Sequence, residues 1–168
     1  MSNLSEIQGI VFDVFGTLLE IQDRRRPYQR LFAAMGLMED EWRSAVETVM
    51  RHSAGSKAEI VELLRPGSPV PDFDFDGELQ AELASVRAFP EVEEVLEALE
   101  EKYVLAVISN AAQPYADHTF EFDWRFSIQD TLFSCEEGLL KPEKAIFERT
   151  AMRLHCAPEA LLMVGDSL

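Results

Sequence analysis

Four short runs place polar side chains where they could act on a small molecule: Asp13-Val14-Phe15-Gly16-Thr17, Ser109-Asn110, Lys141-Pro142 and Gly165-Asp166-Ser167. Asp13 follows the apolar run Ile7 to Phe12. A carboxylate at the C-terminal end of a buried strand stands where α/β proteins place nucleophiles and phosphate-binding turns. Taken singly, each run is ordinary: a turn Asp, a loop entry, a helix start and a Gly-Asp turn. Together they supply carboxylates, a hydroxyl and an ammonium, which is what an α/β active site needs. Phe15, two residues after Asp13, is aromatic and cannot donate a proton.

These groups meet only if the chain brings them to one place. Ile7 to Phe12 reads as a strand buried on both faces, Val104 to Ile108 as a second ending in Ser109-Asn110, Asp130 to Cys135 as a third and Leu161 to Val164 as the last. From Asp23 to Arg65 the period is helical: Tyr28, Leu31, Phe32 and Met35 share one face, Gly36 stops that helix, and further helices are predicted over Glu39 to His52 and Lys57 to Leu64. Arg65 to Gly77 holds three prolines and two glycines and reads as loop or linker. Phe89-Pro90 opens a helix with Val92, Val95, Leu96 and Leu99 in one stripe, and Pro142 to His155 forms another. Strands alternating with helices predict a parallel sheet with right-handed crossovers, whose shared edge gathers Asp13, Ser109 and Asp166.

Composition narrows the partners. The 168 residues are 47% hydrophobic and 27% charged, as in a folded globular chain. A net charge of −16 argues against nucleic acid, whose phosphates call for clustered Lys and Arg. Cys135 and Cys156 form neither a zinc pattern nor a disulfide framework, which fits a reducing cytoplasm. The start MSNLSEIQG has no signal-peptide character, and no apolar run reaches the length of a membrane span.

In order and spacing the four runs match the motifs of the haloacid dehalogenase-like hydrolase superfamily, and the chain resembles the branch with a small helical cap after motif one. The resemblance implies an α/β fold: a Rossmann-like parallel sheet core over residues 1–19 and 88–168, with an inserted helical cap over 20–87. It implies a hydrolase acting on a small anionic substrate, a phosphomonoester or a 2-haloacid, through a covalent aspartyl intermediate on Asp13. Ser109 would hydrogen-bond substrate oxygens, Thr17 and Asn110 would join in substrate binding, and Lys141 would neutralise charge on the nucleophile and the transition state. In magnesium-dependent members the metal ligands would correspond here to Asp13, the backbone carbonyl of Phe15 and Asp166.

Two departures bear on the chemistry. Phosphatases of the family carry an aspartate where this chain has Phe15, whereas its 2-haloacid dehalogenases carry Tyr or Phe, since a departing halide needs no proton. Gly165-Asp166-Ser167, by contrast, has the metal-binding form of motif four. The expected function is therefore a phosphatase-like, Mg²⁺-dependent hydrolase, with 2-haloacid dehalogenation as the alternative and a catalytically silent binding relative as a third reading. The sequence ends at Leu168, before the second motif-four acid, helix and strand of the family pattern. That predicts a weakened metal site and an uncovered sheet flank open to self-association.

The remaining features have plainer readings. Arg24-Arg25-Arg26, with Arg30, is a basic cluster at the cap entrance, and Arg25 is the expected contact to an anionic substrate; a solvated helix turn offsetting nearby acids is the alternative. Asp72 to Gly77 copies half of a calcium loop but lacks the closing Glu. His52, His118 and His155 are scattered, Met35, Met38, Met152 and Met163 read as core filler, and Tyr115 and Trp124 fall in an irregular stretch between the second and third strands.

Overall fold

The computed structural model describes residues 6–123 and 127–166; Trp124, Ser167 and Leu168 lie outside them. Among these described residues six strands occur in chain order: β1 (Gly9–Phe12), β2 (Leu19–Ile21), β3 (Val86–Ala88), β4 (Val104–Ser109), β5 (Asp130–Phe133) and β6 (Leu161–Val164). Four of them make a parallel sheet of order β5-β4-β1-β6, the parallel sheet expected from the alternating pattern and the Rossmann-like core the resemblance implies. Ile10, Phe12, Leu105, Val107 and Phe133 pack on one face, while Val11, Ala106, Ile108 and Leu132 pack on the other with Ile146 and Leu154. With almost no solvent face, β1 and β4 read as continuous apolar runs instead of alternating ones, whereas the edge strand β6 is only partly covered, with Leu162 exposed. Phe12 lies opposite both Val107 and Val164, so the segments leaving β1, β4 and β6 emerge at one edge.

Between β2 and β3 lie four helices: α1 (Pro27–Ala34), α2 (Trp42–Met50), α3 (Lys57–Leu64) and α4 (Phe75–Leu83). They enclose a second core that includes Leu31, Phe32, Ile60, Phe75 and Leu79. Fully burying such a side chain contributes about 1.5–3 kcal/mol, so this block is held by its own interior as well as by the sheet. Its base is the antiparallel β2–β3 ribbon, with Leu19 opposite Ala88 and Ile21 opposite Val86. The ribbon is absent from the sequence reading because three-residue strands are too short to show a period.

Four other expectations change. The first turn of α4 falls inside the stretch read as loop: the Asp74 carboxylate accepts the Gly77 N–H at 3.0 Å and caps the helix, while the prolines all precede it. Helix α2 is preceded by a 3-10 turn over Glu39–Glu41 and is shorter than its periodic run. Tyr115 stands on a helix, not in an irregular stretch: α6 (Gln113–Thr119) begins with Pro114 in its first turn and follows α5 (Val92–Glu100). On α5, Val92 and Leu96 are buried but Val95 is exposed. Helices α7 (Ser134–Glu137) and α8 (Lys144–Arg153) complete the order. No helix among the described residues is long and apolar enough to cross a membrane.

Candidate active site

Asp13 leaves β1 directly into a tight turn. Its N–H donates to Val164 O of β6 at 2.8 Å, and the N–H groups of Thr17, Leu18 and Leu19 all return to Val14 O. That turn needs Gly16 at φ 92°, a region costly for side-chain-bearing residues. It also needs the space: a Cβ on Gly16 would stand 2.4 Å from Asp166 Oδ2. The motif-one turn and the motif-four carboxylate are thus in direct apposition. The Thr17 hydroxyl is buried in this turn with no hydrogen-bond partner among the described residues.

The Asp13 carboxylate is held from two sides. Oδ1 accepts the Val14 N–H at 2.7 Å, and Oδ2 lies 2.7 Å from Lys141 Nζ. Both side chains are 16% exposed, sheltered enough for the charges to interact strongly yet open to a ligand. Lys141 is fixed by Asn110: Asn110 Nδ2 donates to Lys141 O at 2.9 Å, and Lys141 N donates to Asn110 Oδ1 at 2.8 Å. The side chain of motif two therefore clamps the backbone of motif three. Ser109, 1% exposed, ends β4 opposite Phe133. The next loop is held by buried Ser134, whose Oγ accepts the Ala111 N–H at 3.0 Å and donates to Ala111 O at 3.3 Å.

A cavity of about 430 Å³ opens beside this carboxylate, between the sheet edge and the helical block. Phe15 and Asn110 line it, although Asp13 and Lys141 do not. Phe15 packs edge-on against Tyr115, with ring centroids 5.7 Å apart, so the position two residues after Asp13 is an apolar wall. Opposite stands Glu82 of α4, only 5% exposed. Its Oε2 accepts the backbone N–H groups of Arg25 and Arg26, the latter at 2.8 Å, and its Oε1 accepts the Tyr115 hydroxyl at 2.5 Å. Burial, reinforced by Glu82, pushes the Tyr115 hydroxyl far above its ordinary range, and burial does the same to Tyr28. Both phenols stay protonated; Tyr115 donates to Glu82, while the Tyr28 hydroxyl has no partner among the described residues.

A second tie spans the same gap. Arg51, at the end of α2, donates to Gly138 O at 3.0 Å and ion-pairs with Glu143, two residues beyond Lys141. The Arg51 guanidinium holds the Glu143 carboxyl below its ordinary range. Ser53 Oγ adds a bond to Cys135 O at 3.0 Å.

Of the expected site residues, the fold brings together Asp13, Lys141, Asn110 and, through Gly16, Asp166. Arg25 is different. Its guanidinium pairs with Asp23 at 2.9 Å and Glu78 at 3.3 Å, and it is not on the cavity wall, whereas Arg24 and Arg26 are. Glu82 and Arg51 were not singled out by the sequence reading. For Glu82 a signal exists: it stands at i+3 from Leu79 and i+7 from Phe75, on the buried stripe of α4. Arg51 has none, because its partner lies 92 residues away.

A carboxylate–lysine pair at the C-terminal edge of a Rossmann-like sheet, beneath an inserted helical block, defines the class of α/β protein. The chain belongs to the haloacid dehalogenase-like hydrolase family, which matches residues 7–168. No curated protein sequence matches it. Among solved structures, a HAD family enzyme from Bacteroides thetaiotaomicron, in complex with magnesium and inorganic phosphate, is 19% identical with a TM-score of 0.70, covering 96% of this chain and 85% of that one. A predicted phosphoglycolate phosphatase from Haemophilus somnus is 19% identical with a TM-score of 0.65, covering 98% and 79%. A 2-haloacid dehalogenase from Pseudomonas syringae is 18% identical with a TM-score of 0.62, covering 95% and 78%. At these identities the likeness is one of fold.

Proposed function

We propose that this hydrolase acts on small anionic substrates through a covalent ester on Asp13, in a phosphatase-like, magnesium-dependent reaction, with residues 20–87 as its cap. The observation that supports this reading best is the 2.7 Å contact between Asp13 Oδ2 and Lys141 Nζ. The ammonium faces the carboxylate at hydrogen-bond distance and stands ready to offset the charge that builds on transferring oxygens. In the first step a carboxylate oxygen forms a bond to phosphorus as the bond to the leaving oxygen breaks. In the second, water cleaves the aspartyl phosphate, returning the carboxylate and inorganic phosphate. Ser109 binds the phosphoryl oxygens, and the buried Thr17 hydroxyl, without a partner among the described residues, is a donor within the same turn.

The donor set suits Mg²⁺. Among the described residues no cluster of three or more His, Cys, Asp or Glu side chains is formed. Asp13, Asp166 and the Phe15 carbonyl are all hard oxygen donors, and Mg²⁺ is commonly held by one or two carboxylates with water and substrate oxygens completing its shell. When bound, it supplies Lewis-acid stabilisation of the phosphoryl oxygens. The chain's own residues orient the nucleophile, Val14 N–H and Lys141 Nζ holding the two carboxylate oxygens.

Phe15 supports the alternative. No proton donor stands at its position, and a halide leaves without one, so displacement at the carbon of a 2-haloacid fits the same nucleophile. Two assays separate the readings. Phosphate release from 4-nitrophenyl phosphate that requires magnesium and is lost in Asp13→Asn supports the phosphatase. Metal-independent halide release from 2-chloropropionate supports the dehalogenase instead, and silence in both assays favours the binding-only reading.

A further inference from the structure

Resting on the hydrolase reading above, we propose that Arg24 and Arg26 form a second anion-binding subsite in the cavity, so that the substrate bears another negative group, a carboxylate or phosphate, remote from the bond Asp13 attacks. Three consecutive arginines meet different fates. Arg25 pairs with Asp23 and Glu78, and Arg30 pairs with Glu78 at 2.8 Å. Arg24 and Arg26 line the cavity, and neither guanidinium makes an ion pair among the described residues. The chain holds 31 acidic residues against 15 Lys and Arg, so most of its cations have carboxylates to find. Two left unpaired on a cavity wall are available to a ligand instead.

The turn that presents them is built for the purpose. Arg26 adopts the left-handed conformation, φ 57° and ψ 52°, which a side-chain-bearing residue takes only when its surroundings enforce it. The enforcing group is Glu82, whose Oε2 accepts the N–H of both Arg25 and Arg26. Its other oxygen is engaged by the Tyr115 hydroxyl, so Glu82 acts on the backbone of the turn as a positioning residue. The wall between the arginines and the Asp13 end is aromatic, from Phe15, Tyr28 and Tyr115. Tyr28 is 8% exposed, and its hydroxyl has no partner among the described residues, leaving a buried donor for a ligand oxygen to satisfy. The planar guanidinium fork suits carboxylate and phosphate.

Two phosphonates test this independently of turnover, because neither can be hydrolysed: 4-carboxybenzylphosphonate and its neutral 4-carboxamide. Titration calorimetry on the full chain, with magnesium present, is expected to show the carboxylate binding about tenfold tighter, the scale of charge-assisted bonds to partly exposed arginines. Arg24→Gln/Arg26→Gln should abolish the preference, whereas Arg25→Gln and the charge-conserving Arg24→Lys/Arg26→Lys should keep most of it. Equal binding by the wild type, binding of neither compound, or an unaltered preference in the glutamine double variant overturns the subsite. So does an equal fall in affinity for both compounds, which a purely structural role would give. A preserved preference without turnover of 4-nitrophenyl phosphate or 2-chloropropionate sinks the hydrolase reading and leaves the subsite standing.

Discussion

Asn110→Ala separates holding Lys141 in place from touching the substrate. The substitution removes two hydrogen bonds to the Lys141 backbone, of 2.9 and 2.8 Å. At about 0.5–1.5 kcal/mol net for each, and with part-buried backbone groups that water can reach, the loss of stability is about 2 kcal/mol. In a chain of this size that lowers Tm by about 4–8 °C. The effect on rate arises differently. Lys141 Nζ lies 2.7 Å from Asp13, and a displacement of about 1 Å at such a group costs about 10²-fold in rate. The assay is a double-mutant cycle of Asn110→Ala with Lys141→Met, read by kcat/KM on 4-nitrophenyl phosphate and by urea unfolding. The clamp grips backbone, so its stability loss should persist in the Lys141→Met background. The loss in kcat/KM should vanish there, because no ammonium remains to be misplaced. Multiplicative losses in kcat/KM across the cycle would refute the clamp and give Asn110 a direct contact with substrate.

Phe15→Asp places a carboxyl group against Tyr115 and should raise turnover of alkyl phosphates by about 10²-fold while leaving 4-nitrophenyl phosphate, whose phenolate departs unaided, little changed; no gain on alkyl esters would count against phosphoryl chemistry. Gly16→Ala forces a Cβ to within 2.4 Å of Asp166 Oδ2 at φ 92°, and should cost about 2 kcal/mol in urea unfolding together with most magnesium-dependent activity; an unchanged midpoint would show that the turn relaxes. Glu143 titrates below its ordinary range in the folded chain because of Arg51. A depressed folded pKa gives stability that is complete above the unfolded pKa and is lost as pH falls through the folded value, here below about pH 4. Glu143→Gln should therefore lose stability at neutral pH and show a shallower acid limb in thermal melts, and an acid limb identical to wild type would remove the pair from the account.

Much of the scaffold is visible along the chain because its causes are local. β1, β4 and β6 are apolar runs whose neighbours decide their conformation, and Gly36 ends α1 with a positive φ of 73° that glycine adopts readily. The α4 cap was hidden by composition: Pro66, Pro69 and Pro71 suggest a loop, while Asp74 and Gly77 form a cap only when the helix behind them finds a core. The β2–β3 ribbon was hidden by sequence separation, since neither strand has a pattern without the other.

The sequence by itself determined which chemical groups the candidate site would contain: Asp13, Ser109 and Asp166 stand at or just past strand ends and Lys141 in the turn before α8, positions set by hydrophobic period and turn chemistry among near neighbours. Only the tertiary structure decided how those groups are used. It turned the Asn110 amide toward Lys141, 31 residues on, and neutralised Arg25 with Glu78, 53 residues on, leaving Arg24 and Arg26 on the cavity wall. The reason is electrostatic and geometric. A polar side chain takes its role from whichever charge or donor reaches it within about 3 Å, and that partner arrives through packing of distant segments.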